Sequence, residues 1–247
     1  MAAPPQVLIV TGGGRGIGAV VAAGAARRGY AIAVNYKGDR ARADSVVADI
    51  AKAGGTAVAI GGDVAREADV DRIFAETDRV LGRVTALVNS AGILGPIGRL
   101  DSVPAASLNE IFGVNVVGTI LCAREAVKRM SNRHGGAGGT IINLSSTAAV
   151  LGGGGEAIPY AASKGAVETF TVGLAREVAT EGIRVNCVRP GMIDTEMQPP
   201  GRLERAKPAL PMQRPGTAQE VANAILWLLS PEASYVSGAI LGVSGAR

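Results

Sequence analysis

Short apolar runs of strand length alternate with longer helix-like segments along almost the whole chain. That alternation restricts the possible fold more than any other feature. Val7-Leu8-Ile9-Val10 contains no polar residue and runs into a glycine turn, as expected of a strand buried on both faces. Strand-like runs recur at residues 31–35, 57–60, 86–88, 139–144, 183–188 and 239–243. Between them lie predicted helices at 17–28, 39–53, 67–81, 108–130, 159–180 and 217–229. Their ends carry the expected punctuation: Asp39 at a start, Gly54-Gly55 and Gly82 at stops, and Thr217 with Glu220 in capping-box spacing. Such alternation predicts an α/β fold, a doubly wound parallel sheet with helices on both faces. No break in composition marks a second domain, so residues 1–247 are predicted to form one. The stretch 189–215, rich in Pro and Gly, is the one long irregular segment and reads as a substrate-side loop or lid.

Composition narrows the function classes. Apolar residues make up 47% and aromatics only 3%, so the core must rest on Val, Ile, Leu and Ala, with abundant Gly for close packing. The 25 basic and 21 acidic residues are interspersed without a basic run, which argues against a nucleic-acid partner and fits an anionic small ligand. Cys122 and Cys187 each sit in an apolar stretch and read as buried thiols of a cytoplasmic protein. A single histidine, His134, builds neither a zinc site nor a Ser-His-Asp triad, so no metal is expected. Met1 to Gln6 lacks the pattern of a signal peptide, and no uncharged apolar run of spanning length appears, so no membrane partner is expected.

Chemistry is concentrated in Tyr160-Ala161-Ala162-Ser163-Lys164. The spacing of four puts the phenol and the ammonium on one helical face. A fixed positive charge there is expected to lower the phenol pKa from about 10 toward working pH, making Tyr160 a general acid/base. At the other end of the chain, Thr11-Gly12-Gly13-Gly14-Arg15-Gly16-Ile17-Gly18 follows the first strand and opens the first helix. In that context glycines let the backbone approach a pyrophosphate at a helix N-terminus. Strand two ends in Asn35-Tyr36-Lys37 and lacks the acid that an NAD enzyme places there for the ribose hydroxyls. Arg15 and Lys37 are expected to embrace a 2′-phosphate instead, favouring NADP (NADPH) with NAD still possible. Asp63 and Val64, after strand three, are expected at the adenine.

Together these motifs identify a resemblance to the short-chain dehydrogenases/reductases over nearly the whole chain. Thr11 to Gly18 is similar to the family's Thr-Gly-x-x-x-Gly-x-Gly turn, and Asn89-Ser90-Ala91-Gly92 to its Asn-Asn-Ala-Gly. Asn115, Ser146, Tyr160 and Lys164 match the family's catalytic set, and Arg189-Pro190-Gly191 its Pro-Gly turn. The resemblance implies a Rossmann-like sheet of seven strands and hydride transfer between a nicotinamide cofactor and a carbonyl or secondary alcohol. It implies that Tyr160 exchanges the proton, Ser146 fixes the substrate oxygen, Lys164 serves both Tyr160 and the nicotinamide ribose, and Asn115 supports a proton-supplying water chain. It further implies cofactor contacts from Gly12, Gly14, Gly16, Ile17, Gly18, Asn89, Ala91, Gly92, Pro190, Gly191, Ile193 and Thr195. The nearest subgroup looks like bacterial beta-ketoacyl-carrier-protein reductases and glucose dehydrogenases.

Ser145 reads as a strand-end hydroxyl pointing away from the site. The substrate pocket is expected from residues 93–100, 148–159 and 189–215, mostly small and apolar, and it suits a neutral or mildly polar carbonyl. A homotetramer through the helices at 108–130 and 159–180 and the last strand is implied by the family, with Gly113, Gly118, Gly165 and Gly173 permitting close approach. Ser244, where the usual tail motif is lost, leaves a dimer open. The alternative function is a catalytically silent nucleotide-binding regulator, because a fold does not fix an activity. Such proteins usually lose the Tyr or Lys, whereas this chain keeps both.

Overall fold

In the computed structural model, which describes residues 6–247, every strand-like run forms a strand. The strands are β1 (Gln6–Thr11), β2 (Tyr30–Tyr36), β3 (Ala57–Gly61), β4 (Ala86–Asn89), β5 (Gly139–Leu144), β6 (Ile183–Pro190), the short β7 (Ile193–Asp194) and β8 (Gly216–Thr217), and β9 (Ile240–Val243). Seven of them pair in parallel in the order β3-β2-β1-β4-β5-β6-β9, with β7 and β8 in a separate pair. The order reverses between β1 and β4, and a crevice at such a reversal is where open α/β sheets bind ligands. The reading of Met1 to Gln6 as free of a signal concerns mainly residues 1–5, which lie outside the described residues.

The helices are α1 (Gly16–Ala26), α2 (Arg40–Lys52), α3 (Glu67–Leu81), α4 (Ala105–Phe112), α5 (Gly118–Met130), α6 (Ala148–Leu151), α7 (Ile158–Glu177), α8 (Arg202–Ala206) and α9 (Ala218–Leu229). The caps follow the sequence. Asp39 accepts from the Arg42 N–H at the start of α2, and Thr217 and Glu220 form the reciprocal capping box of α9.

Alternating residues of each strand feed two cores. On one face Leu8 and Val10 of β1 pack with Val21, Ala22 and Ala25 of α1 and Ile225 of α9. On the other, Val7 and Ile9 pack with Ile73 and Phe74 of α3, Ala126 of α5 and Ala175 of α7. Gly24 lets α1 and α9 touch, since a Cβ there would stand 2.6 Å from a Leu226 methyl. Cys122 and Cys187 are buried and unpaired, and burial pushes both thiols up to about 12.

Two expectations change. The helix foreseen at 108–130 begins at Ala105 and is interrupted by a π turn over Gly113–Val117, a widened turn of the kind found at functional sites. An 18-residue window within Ala105–Met130 reaches a mean hydropathy of 1.4, so the segment is by length and composition long and apolar enough to cross a membrane. Here Cys122, Ala123, Ala126 and Met130 of α5 are buried in the core. Residues 189–215 are less irregular than expected. They hold β7 and α8 and lead into β8, elements of two to five residues, too short to leave a periodic signal.

Candidate active site

A cavity of about 820 Å³ lies over the carboxyl ends of the strands, and the glycine turn forms one wall. Gly12 has a φ of +62°, and a Cβ there would be 2.9 Å from the Ala91 Cα. The turn is tied down at both sides. Gly13 N–H donates to the Asn35 carbonyl at 2.9 Å, and the Thr11 hydroxyl accepts from the N–H groups of Ser90 and Ala91, both at 3.1 Å. Gly14, Arg15, Gly16 and Ile17 then face the cavity. Gly18 does not. A Cβ at Gly18 would be 2.5 Å from the Gly12 carbonyl oxygen, so this residue packs α1 under the turn and does not line the cavity.

At the far end of the turn the charges are arranged differently from the expectation of two free cations. Lys37 is paired with Asp63 at 2.9 Å, and that hydrogen bond raises the Lys37 pKa. Asp63, expected at the adenine, also accepts the Ala65 N–H at 3.0 Å. Arg15 is exposed. Asn35 lines the cavity but uses its amide to bind the Ile60 and Gly62 carbonyls at 3.2 and 3.1 Å, joining the ends of β2 and β3. Tyr36 packs on Gly61, and Val64 borders both the cavity and Gly118. A third cation, Arg42, went unrecognised in the sequence: it lines the cavity from the start of α2 and pairs with Asp39 and Glu196.

On the central wall, α7 starts with Pro159 in its first turn and carries Tyr160 and Lys164 into the cavity. Lys164 Nζ lies 5.7 Å from the Tyr160 ring centroid and donates to the Leu144 carbonyl at 2.8 Å. Ser146, just beyond β5, accepts the Ala148 N–H at 3.2 Å. Asn115 sits in the π turn, fully buried. Its amide oxygen accepts the Ile93 N–H at 2.8 Å, and its nitrogen donates to the Ile93 carbonyl at 2.9 Å and to Ser163 at 3.0 Å. Asn115 and Lys164 both border Gly92, where a Cβ would meet them at 3.3 and 3.5 Å.

The expected depression of the Tyr160 pKa does not occur among these protein groups. Burial raises it, partly opposed by the Ser146 hydroxyl and the Arg202 charge. Lys164 is itself pulled down to about 8 by burial, so a weakly held proton replaces the strong fixed charge that the spacing suggested.

Other site residues divide clearly. Ala91, Gly92, Pro190, Gly191, Ile193 and Thr195 line the cavity, with Thr195 beside Gly16. Asn89 does not: its amide donates to Asn143 at 2.9 Å, and Asn143 continues to Thr171 at 2.9 Å, a buried tie from β4 through β5 to α7. The neighbouring Ser90 lines the cavity and had no site role in the sequence reading. Ser145, read as pointing away from the site, also borders the cavity, but its hydroxyl is bonded to Glu168 (2.7 Å) and the Lys164 carbonyl (3.1 Å) of α7.

The substrate-side wall is made by Ile93, Leu94, Leu151, Met192, Met197 and Arg202. Asp194, foreseen there, is not part of the lining. Two ion pairs hold this wall to distant parts of the fold, Arg42 with Glu196 and Arg202 with Glu156.

Residues 12–245 match a family model described as enoyl-(acyl carrier protein) reductase. An uncharacterized oxidoreductase of Escherichia coli, YgfF, is 48% identical over 245 residues, covering 98% of this chain and 99% of the relative. A human 3-oxoacyl-[acyl-carrier-protein] reductase is 38% identical over 243 residues, 97% of each chain. A solved short-chain dehydrogenase from Burkholderia cenocepacia, in complex with NADP, superposes with a TM-score of 0.90 at 33% identity, covering 98% of this chain and 97% of that one.

Proposed function

Since the chain belongs to the short-chain dehydrogenase/reductase family, we propose that it is an NADP(H)-dependent enzyme interconverting a carbonyl compound and its secondary alcohol, with Tyr160 as general acid/base. The observation that carries this reading is convergence. Ser146, Tyr160 and Lys164 share one wall of a cavity whose adjoining wall is bare glycine backbone. The fit to a dinucleotide rests on that backbone: side chains at Gly12 or Gly18 would strike the neighbouring main chain.

Bound NADPH would supply the hydride that the carbonyl carbon takes up. Tyr160 donates its phenolic proton to the carbonyl oxygen, so hydride plus proton complete the alcohol. Ser146 donates a hydrogen bond to the same oxygen and holds it where negative charge develops. Lys164 steadies the nicotinamide ribose and, with Asn115, returns a solvent proton to the phenol past Gly92. A phenol held above its ordinary pKa stays protonated at neutral pH, which suits reduction. Alcohol oxidation needs the phenolate and should quicken as pH rises.

For the 2′-phosphate, this reading assigns Arg15 and Lys37, the latter exchanging its Asp63 partner, with Arg42 as neighbour. Asp63 and Val64 are assigned to the adenine. Steady-state kinetics with NADPH and NADH over a panel of ketones and aldehydes test both parts. A clear preference for NADH would overturn the cofactor assignment, and absence of turnover would overturn the reaction.

A cytoplasmic homotetramer is the proposed working form, formed across α4–α5, α7 and β9. Exposed Phe112, Val117 and Ile120 support such an interface, as does the open space beside Gly165 and Gly173 on α7. Gly118 is withdrawn from it, since it packs internally on Val64. Light scattering that gave a monomer at micromolar concentration would contradict the assembly.

A further inference from the structure

Beside the main cavity lies a smaller one of about 270 Å³. The two share Glu156, Met192, Arg202 and Arg247 in their linings, so the small chamber opens off the substrate end of the large one. Its charged side chains are those of Arg202, Arg205 and Arg247 against that of Glu156. A chamber lined by three arginines and one glutamate among apolar residues is suited to an anion.

Arg202 stands at the junction. Its side chain is 17% exposed, and its charge reaches the Tyr160 phenol. It donates to Glu156 at 2.7 Å and to Gln198 at 3.3 Å. Glu156 is 56% exposed and follows the four-glycine run Gly152–Gly155. A guanidinium held in place thus faces a carboxylate carried by a pliable, exposed loop. The carboxylate stands where the oxygen atoms of a ligand would go, and the loop gives it freedom to leave.

We propose that the physiological substrate is a small carbonyl compound bearing an anionic group, a carboxylate, sulfonate or phosphate, at the end remote from the carbonyl. Arg202, Arg205 and Arg247 receive that group while Glu156 swings aside. This inference rests on the reductase reading and names its substrate class. It replaces the neutral carbonyl suggested by the apolar sequence of the lining. The arginine side chain forms two parallel hydrogen bonds with such a group, so the preference is directional as well as electrostatic.

The test uses linear keto acids of graded chain length and their methyl esters, assayed with NADPH and the intact protein. One acid should exceed its ester in kcat/KM by about tenfold or more. Arg202→Gln should bring that ratio toward unity, whatever it does to the ester itself. Glu156→Gln, which frees the guanidinium, should raise the ratio, and this opposite sign guards against a merely misfolded Arg202 variant. Calorimetric titration of the matching hydroxy acids and their methyl esters into the NADP-loaded protein gives a second readout that needs no turnover. Tighter binding of an acid than its ester, lost in Arg202→Gln, supports the inference even if no carbonyl is reduced, an outcome that would sink the reductase reading alone. Equal handling of acids and esters by wild type and both variants, in turnover and in binding, overturns the inference and leaves the reductase reading standing. A thioester of phosphopantetheine serves as a phosphate-bearing arm, and a preference for it over the keto acids places the anion on a carrier and overturns the small-substrate assignment.

Discussion

The two ends of the main cavity are built on different plans. The cofactor end is backbone. Gly12, Gly14 and Gly16 present main chain, and hydrogen bonds from Gly13, Ser90 and Ala91 hold that main chain to the first, second and fourth strands. The substrate end is side chain, drawn from segments far apart and joined by the ion pairs Arg42–Glu196 and Arg202–Glu156. At Gly12 the backbone surface resists change, because an added Cβ would stand 2.9 Å from the Ala91 Cα. A surface made of exposed ion pairs is weakly held, since such pairs contribute little to stability and are screened by salt. The first plan suits a ligand that never varies. The second suits a wall that must open.

The sharpest way to test the comparison is to remove the group proposed to exchange the proton, which stands between the two ends. Tyr160→Phe keeps the ring and the packing and should lower carbonyl reduction by roughly 10²–10⁴-fold with NADPH affinity nearly unchanged. Wild-type turnover in that variant would show that the chemistry lies elsewhere.

A pair of glycines addresses the rigid turn and the loop that carries Glu156. Gly12→Val places a branched side chain against the Ala91 backbone at a φ of +62°. It should cost tenfold or more in NADPH affinity, on the order of 1.4 kcal/mol at least, and lower the melting temperature. Gly154→Ala, where a Cβ meets nothing within 4 Å, should change neither property measurably. Equal effects at the two positions would erase the distinction between a rigid and a pliant end.

Cofactor choice follows. Arg15→Ala and Lys37→Ala should each lower kcat/KM for NADPH about tenfold and spare NADH, a charge-assisted contact being lost in each case. If both cofactors fall together, the two cations act on the fold and not on the 2′-phosphate.

The remaining effect is a pH dependence of stability, not of activity. The folded Lys164 pKa of about 8 is below its unfolded value. Between the two values the unfolded chain holds a proton that the folded chain has released, so this group makes stability rise as pH climbs through that window. The destabilisation is complete below pH 8 and is on the order of 3 kcal/mol at most. Lys164→Met should remove that rise. Urea unfolding of both proteins at neutral pH and near pH 10 would reveal it, and parallel profiles would show that burial does not strain this lysine.

Much of the cofactor end was legible in the chain itself because its determinants are local. A strand running into glycines, an Asp or Thr cap and a Tyr-Lys spacing of four are relations among near neighbours. Backbone geometry fixes what such neighbours do. Even there, Asn89 and Gly18 read as ligand contacts, yet each supports the site from behind. Sequence names the turn but does not say which side of it a residue faces.

The sequence by itself determined the alternating α/β architecture, the strand runs, the glycine turn and the wall that carries Ser146, Tyr160 and Lys164. Tertiary structure alone decided which charges meet. Lys37 pairs with Asp63, Arg42 reaches Glu196 across 154 positions, and Arg202 reaches Glu156 across 46 to flank a basic chamber. It also decided the direction of the Tyr160 and Lys164 shifts. The physical reason is common to both. Hydrophobic periodicity and capping act over one or two turns of chain, whereas ion pairing and desolvation depend on distances in space that no local pattern encodes.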